Sequence, residues 1–191
     1  YDLDLIFNDL KNNNKNKKIN KTILIASSFY GNSIIDNLDL SFLKKLSENF
    51  YIIFRPHPES IKNESHLNKL KKIENLNLKN LTVSFNDTKS DISKSDLLIT
   101  DYSGITLSFA YIKKIRSLNL IKNKSDLDVL KKNIQLETLE KISEINLYDY
   151  DKLLLDLNKI ENSSNEQMIK LINNQFEAFR KKINYQDIIT S

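Results

Sequence analysis

The chain of 191 residues has no cysteine and no tryptophan, and only two glycines, two prolines, two histidines and one methionine. Each shortage excludes something. Without cysteine there is neither a disulfide framework nor a thiolate metal site, which fits a reducing compartment. With two histidines and no cysteine, zinc would have to be held largely by carboxylates, and no spacing suggests such a site; no metal is expected. No apolar run approaches the roughly 20 residues that span a bilayer, and the start shows no secretory signal pattern. It has no initiator methionine either, so the sequence is expected to be a piece of a longer protein. Neither a Walker loop nor a G-x-G-x-x-G fingerprint is present.

What is there suits a soluble globular chain: 40% hydrophobic and 28% charged residues, with a formal net charge of +4. The length fits one domain with a helical tail. A basic balance is compatible with nucleic acid, an anionic membrane surface or a phosphorylated substrate, but the excess is diluted among many Asp, Glu and Asn residues. The aromatics show no RNP-like pattern, and no nucleic-acid partner is expected. A basic nucleic-acid binder is the remaining alternative, and its affinity would have to fall steeply with salt.

Residues 1–21 form a lead-in that ends in a polar Asn/Lys run. Strands are predicted at 22–26, 51–55, 81–85, 97–100 and 116–121. Between them lie helical patterns through Leu38–Phe50, with Asp36 or Asn37 as N-cap, through Ile61–Ile73, a short helix within Asp87–Ser95, and one over 104–113. Further helices are predicted over 125–133, 136–142, 150–161 and 165–183. Strands alternating with helices imply a Rossmann-like, doubly wound parallel sheet of the α/β class. The division is a lead-in over 1–21, a nucleotide-binding domain over 22–150 and C-terminal helices over 151–191, whose stripe of Met168, Leu171, Ile172, Phe176 and Phe179 is core or, less simply, a membrane-surface face.

All four glycines and prolines fall just after predicted strands. Glycine allows positive φ and close backbone approach, and proline fixes φ. Ligands of open α/β sheets bind outside the carboxyl ends of the strands, so the punctuation points to one rim. Asp101-Tyr102-Ser103-Gly104 follows the fourth strand. There Ser103 and Gly104 open a helix whose first N–H groups attract phosphate, and the hydroxyls of Thr100, Ser103 and Thr106 add donors; Asp101 belongs to the same cluster. On the tetrapeptide alone, an ordinary N-cap serine accounts for the pattern. Arg55-Pro56-His57-Pro58 follows the second strand: Arg55 suits a bidentate phosphate contact, and His57, braced by prolines, suits donation to a phosphate or leaving group. A rigid turn with a surface histidine is the simpler alternative. Ser27, Ser28 and Gly31 lie in the polar loop after the first strand and line the same cleft. His66, in a helical run beside Asn63 and Lys69, is expected to face solvent.

Taken in order, these segments resemble the CDP-glycerol glycerophosphotransferases, the teichoic-acid primases and polymerases. Tyr1-Asp2-Leu3-Asp4-Leu5 is similar to the end of the family's G-Y-P-x-Y-D stretch, Lys21 through Gly31 to its first strand and loop, Arg55-Pro56-His57-Pro58 to R-x-H-P, and Ser95 through Gly104 to S-D-x-L-I-T-D-Y-S-S. The resemblance covers about residues 1–120. It implies the C-terminal, nucleotide-binding half of a GT-B fold, working cytoplasmically and peripherally at the inner face of the plasma membrane. It also implies a CDP-linked donor as substrate without a further cofactor, a polymer or lipid-linked acceptor, and an N-terminal acceptor domain. His57 would assist departure of CMP, Thr100, Ser103 and Gly104 would hold the pyrophosphate, and Ser27, Ser28 and Gly31 would face the acceptor half. Alternatives are a GT-B glycosyltransferase using another nucleotide sugar and a noncatalytic scaffold of surface-polysaccharide assembly. The second is motivated by Ser108, which stands where the family has aspartate; Gly104 likewise replaces the second serine of D-Y-S-S, and the segment 114–120 has no proline.

Overall fold

The computed structural model describes residues 21–29, 33–101, 103–123, 142–146, 148–161, 170 and 173–174. The lead-in through residue 20, Gly31, the helices predicted over 125–133 and most of 136–142, and the apolar stripe of the C-terminal tail lie outside them.

Six strands form one sheet: β1 (Thr22–Ala26), β2 (Tyr51–Arg55), β3 (Leu81–Val83), β4 (Leu97–Thr100), β5 (Ser117–Leu120) and β6 (Ser143–Asn146). Their order is β3-β2-β1-β4-β5-β6, with every neighbouring pair parallel. The helices are α1 (Ile34–Asn37), α2 (Leu40–Ser47), α3 (Glu64–Glu74), α4 (Thr88–Lys94), α5 (Ile105–Lys113) and α6 (Tyr150–Glu161), with a 3₁₀ turn over Pro58–Lys62. This is the doubly wound Rossmann-like α/β architecture that the alternation predicts. The central strands are apolar on both faces because both are covered. Along β1, Ile23 and Ile25 join Phe42, Leu43, Leu46 and Leu70 on one side of the sheet. Leu24 and Ala26 join Ile92, Leu98 and Phe109 on the other, as the two-residue period of a strand requires. A fully buried Leu or Ile contributes roughly 1.5–3 kcal/mol, so packing of these rows outweighs any single cap in fixing the sheet.

Several expectations change. Asp39, not Asp36 or Asn37, caps α2, its carboxylate accepting from the Ser41 N–H at 2.8 Å, because Ile34–Asn37 has already turned into the separate helix α1. β3 stops at Val83, since the Ser84 side chain turns inward to the Asp91 carboxylate. β6 was not anticipated: Ser143-Glu144-Ile145-Asn146 has a single β-branched residue, and its extended form comes from pairing with β5, from Ser117 opposite Ser143 to Leu120 opposite Asn146. α6, assigned from sequence to a separate tail, sends Leu153, Leu154, Leu157 and Ile160 into the main core. No described helix is long and apolar enough to cross a membrane.

Among the described residues, glycine is not where backbone strain lies. Gly104 has φ −56°, and a Cβ there would meet nothing within 4 Å, so neither positive φ nor crowding by the chain demands it. The positive φ angles among the described residues belong to Asn77 (48°), Lys114 (58°) and Tyr148 (56°). Lys114 ends α5 in the left-handed region, its N–H donating to the Ala110 carbonyl at 2.9 Å, a place where helices usually put glycine.

Candidate active site

Sheet order reverses between β1 and β4, the place at which open α/β sheets bind their ligands. Residues 27–29 and Ser33 follow β1 on this rim, Asp101, Ser103 and Gly104 follow β4, and His57 stands on the neighbouring loop after β2. The structure thus brings together on one rim the three segments singled out by sequence.

Asp101 ties two of them together. Its carboxylate accepts from the Ser28 N–H at 2.7 Å and from the Ile34 N–H at 2.6 Å. Ile34 is the first residue of α1, whose N-cap Ser33 makes no side-chain cap bond, so the cap comes from across the sheet. Ser27 supplies the next one, its Oγ accepting from the Ile35 N–H at 3.0 Å while donating to the Ser28 carbonyl. Asp101 is only 8% exposed. Burial pushes its carboxyl up to about 6, against the opposite pull of the Ile34 and Ser28 N–H donors.

These bonds change the part that several residues play. Asp101, grouped with the phosphate ligands from sequence, has both oxygens engaged by loop amides and positions the loop. Thr100 is fully buried, and its hydroxyl donates to the Ala26 carbonyl at 2.8 Å; it stitches β4 to β1 and does not face the rim. Ser27 is buried as well, leaving Ser28 as the partly exposed serine of that loop. Arg55 donates through Nη1 to the Asn86 carbonyl and to Asp91 Oδ2 at 2.7 Å. Its side chain is 14% exposed, and that of Asp91 1%, so this edge of the guanidinium is an anchor. No local pattern could have shown this, since Asp91 lies 36 residues away.

Replacing Thr100 with valine is expected to cost about 1 kcal/mol of stability and to leave nucleotide affinity within about two-fold. Urea denaturation and a CMP titration check this; a large affinity loss would return Thr100 to the ligand set.

Ser103, partly exposed, and Gly104, exposed, face out where α5 begins. The first turn is closed by Thr106 N–H to the Ser103 carbonyl and Leu107 N–H to the Gly104 carbonyl. The N–H groups of Gly104 and Ile105 precede these bonds at the positive end of the helix dipole. Thr106 lies behind them, fully buried, its Oγ1 without a hydrogen-bond partner among the described residues. Ser108 is on the exposed side of α5 and opens no gap in the core.

His57 is held as the paired prolines predict. A residue before proline is pushed to extended backbone, and His57 has φ −64° and ψ 144°. Pro58 opens the 3₁₀ turn, and Nδ1 of His57 accepts the Glu59 N–H at 3.1 Å. In its neutral form the ring therefore carries its proton on Nε2. An imidazole fixed in this way is a hydrogen-bond donor through Nε2, not a base at that atom.

His66 overturns its expectation: it is 4% exposed. Nδ1 lies 3.2 Å from Ser60 Oγ and Nε2 3.4 Å from Asp36 Oδ2. Polar neighbours in sequence masked this, because Ser60 and Asp36 arrive from other elements. Among the described residues no cluster of three or more His, Cys, Asp or Glu could hold a metal ion.

The model of the CDP-glycerol:poly(glycerophosphate) glycerophosphotransferase family matches residues 12–116. The chain belongs to this family. All three rim segments fall within the matched span, whereas β5, β6 and α6 lie beyond it. Among solved structures it is similar to the wall teichoic acid polymerase TagF, with a TM-score of 0.54 and 19% identity over 91% of this chain and 43% of that one. A histidine-to-alanine variant of TagF matches with a TM-score of 0.52 and 18% identity over 96% of this chain and 48% of that one. The chain thus spans less than half the length of either, and at these identities the likeness shows the fold. No curated protein matches it.

Proposed function

We propose that this chain is the donor-nucleotide domain of a transferase that moves a polyol phosphate, glycerol phosphate or ribitol phosphate, from a CDP-linked donor to a cell-surface polymer. The observation that carries the reading is the placing of His57 and the Ser103–Gly104 helix start at the carboxyl ends of β2 and β4, the two neighbours of β1, within the span that matches the family. Phosphoryl transfer needs chiefly positioning and charge stabilisation, and the rim supplies both. The open N–H groups at the start of α5 suit a pyrophosphate, and the Nε2–H of His57 suits the phosphoryl oxygen on which charge grows as CMP leaves. The acceptor, a polymer or lipid-linked chain, would be presented by an N-terminal half of the longer protein.

The test is a titration of the chain with CDP and CMP followed by amide chemical shifts. Perturbation is expected at Ser28, His57, Ser103 and Gly104. Silence there at millimolar ligand would sink the donor reading and leave the noncatalytic scaffold, which Ser108 in place of the family's aspartate favours.

A further inference from the structure

The ring of His57 makes its hydrogen bond within its own turn, and the turn itself is anchored by a second imidazole. Ser60, fully buried, donates its N–H to the His57 carbonyl at 2.9 Å, and its hydroxyl meets Nδ1 of His66 at 3.2 Å. The opposite nitrogen of His66 faces Asp36, which sits in α1 directly after the β1 loop. The Asp36 carboxylate also accepts from Ser33 Oγ at 2.8 Å and pairs with Lys69 Nζ at 2.6 Å. Burial raises its pKa, but the hydrogen bonds from Lys69 and Ser33 prevail and hold it below the usual carboxylate range. Phe29, from the β1 loop, stands between the two imidazoles. Its ring centroid is 5.9 Å from that of His57 at 36°, and 5.7 Å from that of His66, edge-on at 79°.

We infer that His66 is a positioning residue for His57: through Ser60 it fixes the turn that carries His57, and through Asp36 and Phe29 it ties that turn to the neighbouring segment after β1. The chemistry suits the task. Imidazole offers a donor and an acceptor on opposite edges, so one buried ring bridges a hydroxyl and a carboxylate from two elements. A buried, fully bonded side chain has little freedom, and misplacement of a reacting group by about 1 Å costs on the order of 100-fold in rate. The inference rests on the donor reading for its kinetic consequence, though not for its structural one.

Ser60→Ala and His66→Gln both cut the Ser60 link; glutamine places its amide near Nε2 and keeps Asp36. His66→Asn places its amide near Nδ1 and keeps Ser60. In the intact protein, the His57 ring resonances, assigned by their loss in His57→Asn, are expected to move in Ser60→Ala and His66→Gln without any ligand. In the same two variants, kcat for transfer from a CDP-linked donor should fall on the order of 10-fold with KM for the donor within about two-fold, and His66→Asn should recover most of it. Rates are normalised to the folded fraction, so lost stability alone would not reproduce this split. Unmoved His57 resonances or an unchanged kcat in Ser60→Ala and His66→Gln would overturn the inference. If wild type itself fails to transfer, the donor reading falls, and the ring resonances still decide whether His66 positions His57.

Discussion

Replacing His57 with alanine is expected to lower transfer from a CDP-linked donor on the order of 10²–10³-fold, the usual consequence of removing one preorganised hydrogen-bond donor from a transition state. His57 has a second task, however, as N-cap of the 3₁₀ turn through its bond from the Glu59 N–H, and alanine loses that as well. A lost cap costs about 1 kcal/mol, too little to unfold a domain of ordinary stability. Asparagine separates the two roles. Its side-chain oxygen can accept the Glu59 N–H as Nδ1 does, and asparagine is among the best N-caps, but it has nothing at the Nε2 position. His57→Asn should therefore keep wild-type stability and share the kinetic defect of alanine, while His57→Gln, with an amide N–H near Nε2, should regain part of the rate. Initial-rate kinetics on the full-length protein, with urea denaturation alongside, check all three. Wild-type turnover in the asparagine variant would show that His57 serves only as a cap.

Replacing Asp101 with alanine is expected to have the largest effect on stability. It leaves the N–H groups of Ser28 and Ile34 without their acceptor at a buried site, and each such loss costs about 1–3 kcal/mol. The sum, roughly 2–6 kcal/mol, is a large part of the 5–15 kcal/mol that holds a typical domain together. Hydrogen exchange should show protection lost first at Ser28 and Ile34. Asp101→Asn keeps one acceptor but sets an NH₂ group against the other N–H, so it should fall between.

The same residue sets a pH dependence. Its carboxyl lies at about 6 in the fold, above the 3.8 of an unburied aspartate. The folded state then binds the proton more tightly, so the contribution of Asp101 to stability is greatest below pH 4 and declines as pH rises through 4 to 6. The stability gap between wild type and Asp101→Asn should therefore narrow over that window, by about 3 kcal/mol at most. Urea midpoints for both proteins from pH 4 to 7 measure it; a gap that is flat or widens with pH would refute the assignment to Asp101.

How much was legible in sequence depended on how local the physics was. Uninterrupted apolar runs such as Leu97–Thr100 announced covered parallel strands, and alternation with helical spacing announced the doubly wound sheet. Pro58 pushed the backbone of His57 to the extended region, because proline disfavours the helical ψ of the residue before it. By contrast, β6 is a strand because β5 lies beside it, a fact that its four residues do not contain. The candidate site divides in the same way. That Ser28, His57, Ser103 and Gly104 share one rim followed from their place just after strands. Which polar groups remain open on that rim did not. Thr100 and Asp101 carry the residue types a phosphate site wants, and both have their polar atoms engaged by backbone groups from β1, its loop and α1, which lie more than 60 residues away in sequence. Arg55 is engaged by Asp91 in the same fashion, and His66, polar by its neighbours, is buried by Ser60 and Asp36. The sequence by itself determined which residues stand at the rim, because strand ends and proline turns are written in short stretches of chain. Only the tertiary structure decided which of them are open and which are already bonded, because a buried donor or acceptor must find a partner wherever the fold brings one.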